Sequence, residues 1–253
     1  MPRRDWTRQE LILAFNLYCK TPFGRIHTRN PLIIELAQAI GRTPSAVSWK
    51  LANFARLDPA LKKRKIAGAV HGARADVEIW DEFNNNWEEL AFESERLLRQ
   101  AVGRVPELSI ETVEFPEGRT RETIIRARVN QGFFRAAVLA AYGQRCCITG
   151  LSVPELLNAS HIVPWSVDVK NRTNPQNGLC LNAFHDRAFD CGLLTVTPDL
   201  RVKLSPRLKQ KNAGPASRRF LQPYDGATIT PPRHFAPGVD FLRYHNEKVF
   251  LGS

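Results

Sequence analysis

Acidic residues are in short supply in this chain: 25 Asp and Glu stand against 36 Lys and Arg, leaving a net charge of +11. That shortage favours an anionic partner, either nucleic acid or a membrane surface. Long apolar runs are missing too. No stretch approaches the roughly 18 residues needed to cross a bilayer, so no membrane-spanning helix is expected. The first residues, Met1 to Trp6, lead into a stretch interrupted by polar side chains, with no signal-peptide core and no cleavage site. Cysteine is limited to five, an odd number in a chain long enough to bury a core without staples. Reduced thiols and a cytoplasmic protein are expected. What remains is an ordinary globular composition, 43% hydrophobic and 24% charged.

The positive charge is divided. Residues 1–75 carry 14 Lys and Arg against 4 Asp and Glu, and residues 117–253 carry 19 against 10. Between them, residues 76–116 reverse the balance, with 3 against 11. Two basic blocks around an acidic one suggest two polyanion-facing modules and a connector that stays off the polyanion.

In the first block, Asp5 is placed to cap a helix whose apolar positions include Trp6, Leu13, Leu17 and Tyr18, ending before Pro22. Asn30-Pro31 opens a second helix with Leu32, Ile33, Leu36, Ala37 and Ile40 on one stripe, and Gly41 stops it. Thr43-Pro44 starts a third that runs to about Leu57, with Val47, Leu51 and Phe54 inward. Arg42, Ser45, Ser48, Lys50 and Asn53 are expected to face out. Two short helices around a tight turn fit a helix-turn-helix. Thr43, Ser45, Ser48 and Trp49 would then approach base edges, with Arg42 and Lys50 on phosphates. The run Lys62 to Lys65 would add backbone affinity.

The acidic block reads as one long helix from Asp76 through Gln100, with Ile79, Phe83, Trp87, Leu90 and Leu97 on one side and a solvated acidic face on the other. Residues 105–115 read as a strand and Pro116-Glu117-Gly118 as a turn. A helix over Gln131 to Tyr142 follows, capped by Gly143.

The chemistry lies beyond it. Ala159-Ser160-His161-Ile162-Val163-Pro164-Trp165 suggests a short strand after His161. Asn177-Gly178 reads as a turn into a second strand, Leu179 to Leu181. From Asn182 the pattern is helical and carries His185-Asp186-Arg187-Ala188-Phe189-Asp190, then Gly192-Leu193. Such a ββα unit gathers one His from a strand, an Asn from a loop and a His or Asp from a helix.

These segments resemble the HNH nucleases, the ββα-metal endonucleases, and in particular their restriction-type branch. The resemblance spans roughly residues 120–200 and implies hydrolysis of DNA phosphodiesters with one divalent cation, Mg²⁺ or Mn²⁺. It assigns His161 as general base, Asn177 to fixing the His161 ring and His185 to the metal, with Arg145 or Arg187 as a phosphate clamp. The position before the base, a metal ligand in many relatives, is Ser160 here. The spacing from Asn177 to His185 is one shorter than in many relatives, which leaves Asp186 as an alternative ligand. Paired C-x-x-C motifs are absent, so structural zinc is not expected, and the cysteines read as small buried residues.

The expected fold is α+β. It comprises an all-α helix-turn-helix-like domain (1–75), an acidic helical connector (76–104) and an HNH nuclease domain with its aromatic-rich tail packed on it (105–253). The expected activity is cutting of double-stranded DNA as a sequence- or modification-dependent restriction enzyme against foreign DNA. Since one such site cuts one strand, duplex cutting needs a homodimer or two successive events. The alternative is a DNA-binding regulator built on a nuclease fold that has lost activity.

Overall fold

In a computed structural model, residues 4–63, 73–102 and 121–252 of the chain are described. The expected strand at 105–115, the turn after it and the basic residues Arg64 and Lys65 lie outside them. The fold is mixed and mostly helical, with two two-stranded sheets among the described residues. It separates into two compact units, residues 1–133 and 134–253.

The first unit is helical. Helix α1 (Arg8–Lys20) is capped by Thr7 rather than Asp5. The Thr7 hydroxyl accepts from Glu10 N while the Glu10 carboxylate accepts from Thr7 N at 2.9 Å, a reciprocal arrangement that satisfies two helix-end donors. Helix α2 (Pro31–Ala39) and helix α3 (Pro44–Leu57) begin where Asn30-Pro31 and Thr43-Pro44 mark them, each with its cap side chain accepting an orphan N–H. A short α4 (Pro59–Lys63) follows. The acidic block folds as two helices, α5 (Arg74–Phe83) and α6 (Trp87–Val102), broken at Asn84-Asn85-Asn86. Their apolar faces bury Ile79, Trp80, Phe83, Trp87 and Leu90, and both pack on α1. Phe15 stands among Phe54, Trp80 and Trp87, with ring centroids 4.9–6.1 Å apart.

Two basic side chains expected to face out do not. Lys50 is buried, its Nζ donating at 2.6 Å to Asp76, which is itself fully buried and accepts from Asn53 at 3.0 Å. A lysine can enter a helical interior only with its charge met, and Asp76, from the acidic block, meets it. The Arg42 side chain is likewise nearly buried. It donates to both Glu10 oxygens and to the carbonyls of Arg4 and Asp5, and lies 4.1 Å from the Trp6 ring centroid.

Helix α7 (Arg121–Ala141) starts ten residues earlier than its apolar pattern indicates and runs on into the second unit. There, strands β1 (Leu157–His161) and β2 (Gly178–Asn182) pair antiparallel, from Leu157 opposite Asn182 to His161 opposite Gly178. The first strand thus ends on His161, with Ile162 and Val163 turning away after it. Asn182 caps helix α8 (Ala183–Asp190). A second hairpin, β3 (Leu194–Val196) with β4 (Val202–Leu204), and two short helices, α9 (Gly214–Phe220) and α10 (Val239–Tyr244), complete the unit. One core joins Phe134 and Val138 of α7 to Leu179, Leu181, Phe189, Leu194 and Val202.

The tail packs on this core through Leu221, Ile229 and Leu242, as its aromatic and apolar content indicates. His245 stacks on Phe189 at 3.7 Å, shares a hydrogen bond with Thr195 Oγ1 at 2.7 Å and reaches the Phe189 carbonyl at 3.2 Å. Cys19, Cys146, Cys147 and Cys180 are buried free thiols, whereas Cys191 is exposed. Burial pushes the Cys180 thiol up to about 12 and Cys147 well above its ordinary value.

Candidate active site

The site is built on the ββα unit. His161 closes β1 with its ring stacked 3.8 Å from Phe134 and edge-on to Trp165 at 5.4 Å. Its Nε2 lies 2.9 Å from the backbone carbonyl of Arg172. A carbonyl oxygen only accepts, so Nε2 carries the hydrogen and Nδ1 is left with the lone pair. Burial lowers the His161 pKa, opposed by the Arg172 carbonyl and by the charge of Asp186. The ring is therefore neutral at physiological pH, with a basic nitrogen pointing away from its anchor.

Asn177 acts on the loop after His161 rather than on its ring. The Asn177 side chain accepts from Val163 N at 2.8 Å and donates to the carbonyls of Val163 (3.2 Å) and Asn171 (3.3 Å). Its own carbonyl accepts from Ile162 N at 2.9 Å. A polar ladder continues the bracing: Asn174 donates to Asn171, and Asn171 donates to Asp168. The loop is thereby held with the Arg172 carbonyl at His161.

Gly178 is not the left-handed turn residue that an Asn-Gly pair indicates. Its φ of −135° is ordinary strand backbone. What requires glycine there is α7: a Cβ on Gly178 would collide with Val138 Cγ2 and come 3.0 Å from Phe134 Cζ.

On α8, His185 and Asp186 stand in different surroundings. His185 is 2% exposed and lies edge-on to Tyr224 at 5.4 Å. Its Nδ1 sits 2.9 Å from Asn182 Oδ1, which already accepts the His185 backbone N–H. Asp186 is half-buried, accepts from Asn158 Nδ2 at 2.7 Å and is near enough to influence His161. Asp190, one turn on, has its carboxyl raised by burial and by the neighbouring Asp186 charge. Ser160 does not join this group. Its hydroxyl is buried opposite Leu179 and hydrogen-bonds to none of them.

Among the described residues there is no cluster of three His, Cys, Asp or Glu side chains of metal-holding geometry. Two carboxylates that repel each other, Asp186 half-buried and Asp190 exposed, still suit a hard cation, which keeps several waters and takes one or two carboxylates plus substrate phosphate. That donor set fits Mg²⁺ or Mn²⁺.

Of the remaining expected contacts, Arg145 and Arg187 are exposed in the second unit. In the first, Thr43 and Ser45 are exposed, Ser48 is half-buried and Trp49 is 64% exposed. No helix is long and apolar enough to cross a membrane. Arg172 escaped the sequence reading altogether, because its link to His161 is a backbone carbonyl and leaves no mark on residue type.

No curated protein matches the chain. Residues 146–197, which hold β1, β2, α8 and every group just described around His161 except Phe134, match a family model described as HNH endonuclease. Over those residues the chain is similar to the HNH endonucleases.

Proposed function

We propose that this protein is a divalent-metal-dependent DNA endonuclease in which His161 is the general base. The observation that carries the reading is the His161 ring itself: Nε2 tied to the Arg172 carbonyl, Nδ1 free, and Asp186 close by. In the reaction His161 Nδ1 takes a proton from a water, and the water oxygen bonds to the phosphorus as the bond to the 3′ oxygen breaks. Phe134 and Trp165 hold the imidazole plane, and Asn177 holds the loop behind it.

Asp186, with Asp190 beside it, would hold Mg²⁺ or Mn²⁺, which supplies positive charge to the phosphate and the leaving 3′ oxygen. His185 is assigned a structural part because its ring is enclosed beside Tyr224; its Nδ1 bond to Asn182 leaves Nε2 as the acceptor nitrogen, buried without a hydrogen-bond partner among the described residues.

The same proposal gives residues 1–75 the task of holding double-stranded DNA. Helices α2 and α3 act as a helix-turn-helix, with Thr43, Ser45, Ser48 and Trp49 toward the duplex. Arg42 and Lys50 are left out because Glu10 and Asp76 engage them. Residues 76–104 connect this module to the nuclease domain at 105–253. A cytoplasmic nuclease must spare its own DNA, so the activity is restriction of foreign DNA by sequence or base modification, with duplex cutting by a homodimer.

The test is plasmid cleavage with Mg²⁺ or Mn²⁺, with EDTA, and with His161→Ala. Cleavage by the wild type alone, abolished by EDTA, supports the assignment; cleavage that persists in His161→Ala refutes it. A panel of unmodified and cytosine-modified DNAs then reads specificity, and equal cutting of all of them removes modification dependence.

A further inference from the structure

The loop between β1 and β2 holds a cation, Arg172, with no counterion among the described residues. Arg172 donates from Nε to the Trp165 carbonyl at 2.7 Å, and its guanidinium lies 5.1 Å from the Trp165 ring centroid. Trp165 in turn presents its edge to His161. Among the described residues Arg172 takes part in no ion pair, and neither of its Nη atoms has a hydrogen-bond partner. Asp168, the carboxylate in the same loop, is occupied by Asn171. Nε is thus spent on setting the side chain against Trp165, while the two planar Nη donors of the residue whose carbonyl anchors His161 stay available, the fork that suits two oxygens of one phosphate.

We propose that Arg172 binds the phosphate being cut through its Nη atoms while its carbonyl orients His161, so that one residue sets both the base and the group attacked. The proposal rests on the nuclease reading above. It replaces Arg145 and Arg187 as the phosphate clamp at this point. Among the described residues neither hydrogen-bonds to His161 or its loop, and Arg187 lies one residue beyond Asp186 on α8, about 100° around the helix. Trp165 is the pivot: it takes the Nε hydrogen bond on its carbonyl and the guanidinium on its ring, fixing the distance between the two functions of Arg172. Lysine keeps the charge but not the planar fork, so a single nitrogen would have to serve both the Trp165 carbonyl and the phosphate.

Two readouts separate these functions. The first is binding to a labelled duplex across a salt series, measured in a His161→Ala background without metal. There Arg172→Ala should reduce the slope of log K against log salt by about 0.9, the value of one phosphate contact, while Arg172→Lys should leave it unchanged. The second is plasmid cleavage with His161 intact. Arg172→Lys should lower kcat roughly 10- to 100-fold through misplacement of the base and phosphate, with KM little changed, and Arg172→Ala should lower kcat and raise KM.

Melting curves of each variant establish that it is folded; if Arg172→Ala is not, Arg172→Gln replaces it. An unchanged salt slope in the neutral variant overturns the phosphate contact, and full kcat in Arg172→Lys overturns the positioning role. If the wild type cuts no DNA with either cation, the nuclease reading fails, and the salt slope still decides whether Arg172 meets a phosphate.

Discussion

Gly178 sits directly opposite His161 in the β1–β2 ladder and makes room for the ring that His161 stacks on. The strand partner and the stacking partner are therefore coupled: anything that fills the space at Gly178 pushes on Val138 and Phe134 of α7. Gly178→Ala should destabilise the protein by about 1–3 kcal/mol, the usual cost of overpacking, and lower cleavage by tilting Phe134 off the imidazole. Thermal melting and plasmid cleavage check this; a variant that melts and cuts like the wild type contradicts it.

The two neighbours on α8 should fail differently. Asp186→Asn keeps the size and the contact with Asn158 but removes the charge, so cleavage should drop at least 100-fold with the melting temperature nearly unchanged. His185→Ala empties an enclosed site beside Tyr224, and its first effect should be on stability, by about 2–4 kcal/mol. If His185→Ala stays fully stable and loses all cleavage, the roles are reversed.

How far the sequence reveals this site depends on how local each determinant is. The starts of α2 and α3 are legible because Asn30-Pro31 and Thr43-Pro44 act on their own helix ends. His161, Asn177 and the α8 motif are legible as a pattern, yet the pattern does not choose between His185 and Asp186. Adjacent helix residues differ by about 100°, and what encloses His185 is Tyr224, packed from far along the chain. Lys50 looks like a surface residue until Asp76 is brought to it from another helix. Gly178 looks like a turn residue, and only the approach of α7 gives its reason.

The Lys50–Asp76 pair predicts a stability effect far from the catalytic residues. Asp76→Ala leaves a buried ammonium with no counterion and should cost about 3–5 kcal/mol. The double change Lys50→Met with Asp76→Leu removes both charges and should recover most of that loss. Denaturant titration of the three proteins measures it; a single variant as stable as the wild type would show the pair to be dispensable.

Acid sensitivity follows from two buried imidazoles. Burial lowers His234 and His245 to about 4 in the folded protein, against about 6.5 in an unfolded chain. Between those values the unfolded chain binds protons that the folded one refuses, so this stability is complete above about 6.5 and shrinks as the pH falls toward 4. The melting temperature should be lower at about pH 5 than at about pH 7.5, and the fall should be shallower in His245→Gln. An equal fall in both proteins would assign the acid sensitivity to other groups.

The docking of His245 on Phe189 also has a consequence for the order in which the molecule is made. The residue that pins the end of α8 lies 56 positions beyond the carbonyl it reaches, and Leu251 N closes on the Gly192 carbonyl later still. A ribosome therefore releases His161, Asp186 and the strands between them well before the segment that fastens their helix. During that interval the nascent chain holds every reacting group of the proposed cutter without the clasp that sets them. Chains broken off before His245 share that condition, so premature termination yields a polypeptide with the nuclease motif and a loosened blade.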